Sequence, residues 1–145
     1  MPTTCFDVAD YFFSCLDEDA GDVLSNLKLQ KLVYYAQGFS LALLDRPLFP
    51  EPLIAWQMGP VCPPLFRMYA IDGPRGIPAP PLVDLSIFPA EELELLDEVW
   101  EVYGQFAAWK LRDMVLTEAP WKETAVNDVI THERLKAFFL TRLRT

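Results

Sequence analysis

The sequence has very little of what most catalytic and metal sites require. It holds a single histidine, His132, and three cysteines without a CxxC pair. A histidine-based zinc site, an HExxH motif or a Ser-His-Asp triad needs more histidine, or histidine in another context. The six glycines form neither a GxGxxG nor a GxxxxGKS phosphate loop. We therefore predict no cofactor, no metal and no catalytic residue.

Basic residues are also scarce. Twelve lysines and arginines stand against 21 aspartates and glutamates, which gives a formal charge of −9. A protein that binds nucleic acid neutralises phosphates with Lys and Arg, so we expect no direct nucleic-acid binding. The acidity either keeps the chain in solution or steers it towards a basic partner.

Long hydrophobic runs are missing, and none approaches the length that crosses a bilayer. The odd number of cysteines and the lack of signal-peptide features at residues 1–3 favour a reduced, cytoplasmic setting without membrane association. The 145 residues, 52% of them apolar, suffice for a core without disulfides. We predict one domain over residues 1–145.

What the sequence does contain is a strong helix from Leu27 to Leu44, with Ser25 or Asn26 as its N-cap. Tyrosines and Phe39 widen its apolar stripe, which is typical of a helix buried by several neighbours. We predict that it is the central helix of the domain. Its stripe comprises Leu29, Leu32, Val33, Ala36, Ser40 and Leu43.

Prolines concentrate in the middle of the chain, between two helical ends. Leu48-Phe49 and residues 53–56 are short apolar runs between prolines, which indicates extended segments. The fold class that we predict is mainly α, with five or six helices and a short β hairpin near residues 47–58. Residues 75–84 are predicted to form an extended connector.

Two motifs carry a resemblance to a known family: LKLQKLVYYAQG at residues 27–38, and RPLF, E, AW, GPV, P and LF in order over residues 46–66. They are similar to the signature of the Panacea antitoxin domain family, also called SocA-like or phage-associated GepA-like. The resemblance implies an antitoxin that binds and neutralises a cognate protein toxin. In some members the antitoxin delivers the toxin to a protease, which adds a protease unfoldase as a second implied partner.

One segment departs from the family pattern. Relatives usually carry a Leu-x-x-Leu-Thr-His-like segment shortly before a Pro-Trp pair. In the matching stretch, residues 111–121, the pair is kept as Pro120-Trp121, whereas Leu116 occupies the expected histidine position. We expect no histidine-dependent activity, and we expect Trp121 to lie in a loop.

The predicted partner-binding surface combines three features. Lysines on the polar side of the central helix either pair with the acidic helix or form the rim of a toxin-binding groove. The motif aromatics are either core residues or interface anchors. Carboxylates at helical spacing (Glu94, Asp97, Glu98 and Glu101) repel one another, so they form either a solvated face or a site for a partner that relieves the repulsion. The surface residues are Lys28, Lys31, Tyr34, Tyr35, Gln37, Trp56, Gly59, Pro60, Glu94 and Glu98.

Two further functions stay open beside the antitoxin. One is a proteolytic adaptor or phage-associated protein-interaction module, which would share the fold and differ in its partner. The other is a small-molecule enzyme that uses acidic residues. The enzyme would require a deep pocket that holds a carboxylate of raised pKa, and the residue pattern favours a protein that is not an enzyme.

Overall fold

A computed structural model describes residues 3–16, 23–72, 76–77 and 83–143. The predicted mainly α class with a short hairpin is confirmed. Most of the predicted connector at residues 75–84 lies outside the described residues. Over the described ranges, no helix is both long and apolar enough to cross a membrane. The elements are α1 (Cys5–Ser14), α2 (Asn26–Leu43), β1 (Ile54–Trp56), β2 (Gly59–Val61), α3 (Pro63–Tyr69), α4 (Ala90–Tyr103), α5 (Ala108–Val115), α6 (Ala119–Lys122) and α7 (His132–Leu140).

Helix α2 is the central helix, as its wide apolar surface predicted. It packs against α1, α3, α4, α5, α7 and strand β2. The helix begins after Ser25, whose side chain accepts a hydrogen bond from the Lys28 amide at 3.2 Å. That bond satisfies one of the amides that the first turn leaves without a partner.

The closest packing of the fold joins α2 to α7 through one ring. Phe139 of α7 is fully buried and lies edge-on to Tyr34, Tyr35 and Phe39 of α2, at centroid distances of 5.5, 6.0 and 4.8 Å. Gly38 makes this approach possible, because a Cβ added there would lie 2.1 Å from the Phe139 ring. The glycine of the LKLQKLVYYAQG motif is therefore a packing requirement.

The hairpin is present, but its strand pairing differs from the predicted one. Strand β1 pairs with Gly59–Val61 and not with Leu48-Phe49. The backbone of Leu48 and Phe49 is held by the side chain of Gln37 instead. The Gln37 Oε1 accepts the two amides at 2.7 and 3.3 Å, and its Nε2 donates to the Phe49 carbonyl at 3.0 Å.

The other edge of β1 is also covered. Ala55 lies opposite Pro60, which has no amide hydrogen to donate. The backbone groups of Ala55 bond to the segment before α7 instead. The Ala55 amide donates to the Asp128 carbonyl at 3.0 Å, and the Ala55 carbonyl accepts from the Asn127 amide at 2.7 Å. Nothing in the sequence pattern indicated this contact.

Residues 119–122, predicted as a loop around Trp121, form the single-turn helix α6. Pro120 lies in its first turn, where a missing amide hydrogen removes no helical bond. This short helix raises the number of α-helices over the described residues to seven, one more than the upper value predicted.

Candidate functional site

An open groove of about 800 Å³ lies where the first half of α2, the hairpin and the start of α5 meet. Its walls are mostly apolar. The lining residues are Ser25, Asn26, Leu27, Gln30, Lys31, Trp56, Gln57, Met58, Val61, Phe66, Ala70, Ala108, Trp109, Val126 and Asn127.

Exposed apolar side chains surround this groove. Trp109 is 60% exposed, Val126 55% and Met58 47%. Trp56 is half-buried and packs edge-on against Phe66, with ring centroids 5.2 Å apart. Apolar side chains left in water at one place are characteristic of a surface that another molecule covers.

The backbone of Trp56 is held by Trp121, the tryptophan of the Pro-Trp pair. The indole N–H of Trp121 donates to the Trp56 carbonyl at 2.7 Å. Helix α6, which carries Trp121, thus supports the hairpin at the groove. The Pro-Trp pair and the AW motif, far apart in sequence, act on the same wall.

Lys31 lies at the floor of the groove and not on a polar rim. Its side chain is 0% exposed, and its ammonium donates to the Pro60 carbonyl at 3.2 Å. Gly59 has a φ of +109°, which favours glycine, and a Cβ there would come 3.1 Å from the Lys31 Nζ. Burial lowers the pKa of Lys31 to about 7. The Gly-Pro corner is shaped around this lysine.

Replacing Lys31 with methionine is expected to stabilise the fold most at low and neutral pH. The folded-state pKa of about 7 lies below the ordinary value of 10.5, so at low pH folding buries a charge that the unfolded chain keeps in water. This penalty shrinks as pH rises from about 7 to 10.5. We expect urea denaturation to give a gain of about 1–4 kcal/mol near pH 6. If the gain in the free energy of unfolding did not change with pH, the result would contradict a buried Lys31 amine with a lowered pKa.

Lys28, the other predicted lysine, binds the end of the acidic helix. Its Nζ donates to the Gly104 carbonyl at 2.6 Å and lies 5.5 Å from the centre of the Trp100 ring. A cation is favourable at this C-terminal end of α4, where the carbonyls of the helix end point out. Lys28 therefore connects α2 to α4, and it is not among the residues that line the groove.

Tyr34 and Tyr35 are core residues in this structure, and both are 0% exposed. Their hydroxyls donate to the two carboxylate oxygens of Glu118 at 3.0 and 2.9 Å. Tyr35 also stacks on Tyr103, with centroids 3.9 Å apart. Neither tyrosine offers surface to a partner, because α7 and the segment around Glu118 cover them.

Glu118 was not singled out from the sequence, although it is a buried carboxylate with two tyrosine donors. Burial raises its pKa, while the tyrosine hydroxyls and Arg142 lower it. Glu118 does not line the groove. The two features that the enzyme hypothesis requires together, a pocket and a carboxylate of raised pKa, are thus found in different places.

The two glutamines of the LKLQKLVYYAQG motif are structural. Gln37 holds residues 48–49, as described above. Gln30 accepts from the Cys62 amide at 2.8 Å and donates to the Asn26 side chain at 2.9 Å. Both glutamines are buried, so each uses its amide to satisfy backbone or polar groups that water cannot reach.

The acidic helix α4 has a largely solvated outer face. Glu94, Glu98 and Glu101 are exposed. Asp97 is exposed too, and it accepts a hydrogen bond from the Tyr11 hydroxyl. The groove lining includes none of these carboxylates. In the described part of the chain, no group of three or more His, Cys, Asp or Glu side chains could hold a metal ion. The only histidine, His132, is exposed at the start of α7.

Only some of the residues of the predicted partner-binding surface lie at the groove. Lys31 and Trp56 line it, and Gly59 and Pro60 contact Lys31 from the hairpin. Trp109 also lines the groove and is 60% exposed, but it was not among the predicted surface residues. A signal was present: Leu111 and Val115 define the buried stripe of α5, and Trp109 is two residues before Leu111 and falls off that stripe.

Comparisons with known proteins agree with the motifs. The family described as "Antitoxin SocA-like, Panacea domain" matches residues 29–122, which include most of α2, the hairpin and α6. The chain is 44% identical over 54 residues to the antitoxin SocA of Caulobacter vibrioides (strain NA1000 / CB15N), covering 37% of this chain and 29% of that protein. No solved structure matches significantly. The chain belongs to the SocA-like antitoxin family with a Panacea domain.

Proposed function

We propose that the protein is an antitoxin that neutralises a cognate protein toxin by direct complex formation, and that the toxin binds at the groove. The observation that supports this most is the exposed apolar wall formed by Trp56, Met58 and Trp109 on the hairpin and α5. The hairpin is itself part of the second family motif. Exposed tryptophan and methionine are enriched where proteins bind one another.

The groove also favours binding over catalysis. A small-molecule site needs polar groups that converge on a reacting atom. Over the described residues, the carboxylates whose pKa is raised are Glu118 and Asp10, and neither lines the groove. Glu118 is engaged by two tyrosines in the core. We infer that the chain acts as a binding protein, with the protease-adaptor version as the second form of the same function.

Trp109→Glu is expected to abolish protection from the toxin without unfolding the protein. Trp109 is 60% exposed, so a glutamate there remains solvated in the free chain but places a charge against the apolar face of a partner. Co-expression with the cognate toxin, read as colony-forming units, should show loss of rescue. The matched control is Ile87→Glu, since Ile87 is 49% exposed and lies outside the groove.

The same cells distinguish the two forms of neutralisation. If the protein blocks the toxin, the toxin accumulates in the complex with the antitoxin. If the protein is an adaptor, toxin levels fall and recover when the protease unfoldase is removed. Rescue by the Trp109→Glu variant at wild-type level, with the variant folded, would place the toxin on another surface.

A further inference from the structure

We propose that the groove binds an apolar peptide segment of the toxin that carries one acidic side chain, whose carboxylate meets Lys31. This inference rests on the function proposed above and assigns the chemistry of the partner at the same groove. The observation behind it is that the fold buries the Lys31 side chain at the groove without a counter-ion.

Lys31 brings more hydrogen-bond donors to the groove than the fold uses. An ammonium has three donors, and one is directed to the Pro60 carbonyl at 3.2 Å. Over the described residues, neither a second acceptor nor a carboxylate lies within bonding distance of the Lys31 Nζ. A buried charge without a partner is unfavourable, so a carboxylate that arrives with the ligand supplies the missing interaction.

The charged and titratable groups on the surrounding elements do not meet this need. The lowered pKa of Lys31 arises from burial, with no contribution from a neighbouring charge. On α5, the carboxylate of Asp113 pairs with Arg112 at 3.1 Å and not with Lys31. The groups on the elements around Lys31 are Lys28, Tyr34 and Tyr35 on α2, Arg67 and Tyr69 on α3, Lys110, Arg112 and Asp113 on α5, and Asp128 beside the hairpin.

The walls of the groove select the rest of the ligand. Trp56, Met58, Phe66 and Trp109 present apolar surface, and a volume of about 800 Å³ is of the size that holds several side chains of a peptide. The chain has a formal charge of −9, so a ligand with many carboxylates would be repelled. A ligand with one carboxylate between apolar residues can pair with Lys31 at the floor of the groove and pack against the apolar side chains of its walls.

Binding requires a small movement of the groove lining. Lys31 is 0% exposed in the free chain, so the carboxylate reaches its ammonium only as neighbouring side chains move apart. The movement exchanges a buried, poorly solvated ammonium for an ion pair. Because the ion pair needs the protonated amine, the affinity for the acidic ligand should fall as pH rises above about 7, the pKa of Lys31 in the free protein.

The test uses three peptides and the full chain. The first is Ser-Leu-Glu-Phe-Ser with both ends blocked, the second has Gln in place of Glu, and the third is the Gln peptide with a free carboxyl end. Binding is followed by NMR through the indole N–H signals of Trp56 and Trp109. At pH 6.5 we expect the blocked Glu peptide to bind at least about tenfold more tightly than the blocked Gln peptide, as a charge-assisted hydrogen bond implies.

Variants identify the amine that is responsible. Lys31→Gln should remove the preference for Glu, whereas Lys110→Gln, a change of the same charge at an exposed position of α5, should keep it. Raising the pH to 9 should reduce the preference in the unchanged protein.

Three results would overturn the inference: no shift with the Glu peptide at millimolar concentration, equal binding of the two blocked peptides, or tightest binding of the peptide with the free carboxyl end. None of these touches the proposed function, which fails separately if Trp109→Glu retains binding of the toxin itself.

Discussion

Replacing Phe139 with alanine is expected to lower the free energy of unfolding by about 3–5 kcal/mol. The ring is 0% exposed and contacts Tyr34, Tyr35 and Phe39 of the central helix. Its removal leaves a cavity that the rigid backbone at Gly38 cannot close. The measurement is urea denaturation, followed by circular dichroism.

The matched control is Phe138→Ala on the same helix. Phe138 is half-buried, and Arg142 covers part of its ring at 4.8 Å. We expect a loss well below that of the Phe139 variant, because a partly exposed ring gives up less burial. Equal losses for the two variants would mean that the α2–α7 contact is not organised around Phe139.

Glu118→Ala is expected to destabilise the fold by about 2–4 kcal/mol, since it leaves two buried tyrosine hydroxyls without their acceptor. Both oxygens of Glu118 are used, one by Tyr34 at 3.0 Å and one by Tyr35 at 2.9 Å. Glu123→Ala is the control, because Glu123 follows in the same segment and is exposed. A loss for Glu118→Ala no larger than that for Glu123→Ala would contradict the buried network.

The same carboxylate gives a dependence on pH with a defined sign. Burial raises the pKa of Glu118 above its ordinary 4.5, so the folded chain holds this proton more tightly than the unfolded chain. The contribution of this proton to the free energy of unfolding is greatest below pH 4.5. It declines as pH rises through the raised pKa that Glu118 has in the folded state. Relative to Glu118→Gln, which does not titrate, the unchanged protein should therefore lose stability over that interval.

Local chemistry made much of the fold predictable from the sequence. The stripe of α2 as far as Ser40, its Ser25 cap and the Thr131 cap of α7 are set by neighbours in the chain, and the structure has them. Leu43, the last residue of the predicted stripe, is 49% exposed because it lies at the end of the helix. The strand pairing was not predictable in the same way. It depends on Gln37, which takes the backbone of Leu48 and Phe49 out of the sheet through bonds across the fold.

The site was harder to predict, because burial is decided by the whole fold. Lys31 lies off the apolar stripe of α2 and was placed on a polar side, yet the hairpin and α5 close over it. Glu118 was not singled out from the sequence, although it is the acceptor for two core tyrosines. A helical pattern shows which side a residue takes, but it does not show which elements arrive from elsewhere in the chain.

The most direct test of the account is the affinity of the purified toxin for three purified proteins: the unchanged chain, Trp109→Glu and Ile87→Glu, measured by titration calorimetry at one salt concentration. The account predicts a loss of at least about a hundredfold for Trp109→Glu, as for a central aromatic anchor, and an unchanged affinity for Ile87→Glu. Tight binding by a folded Trp109→Glu variant would contradict the groove as the toxin-binding surface.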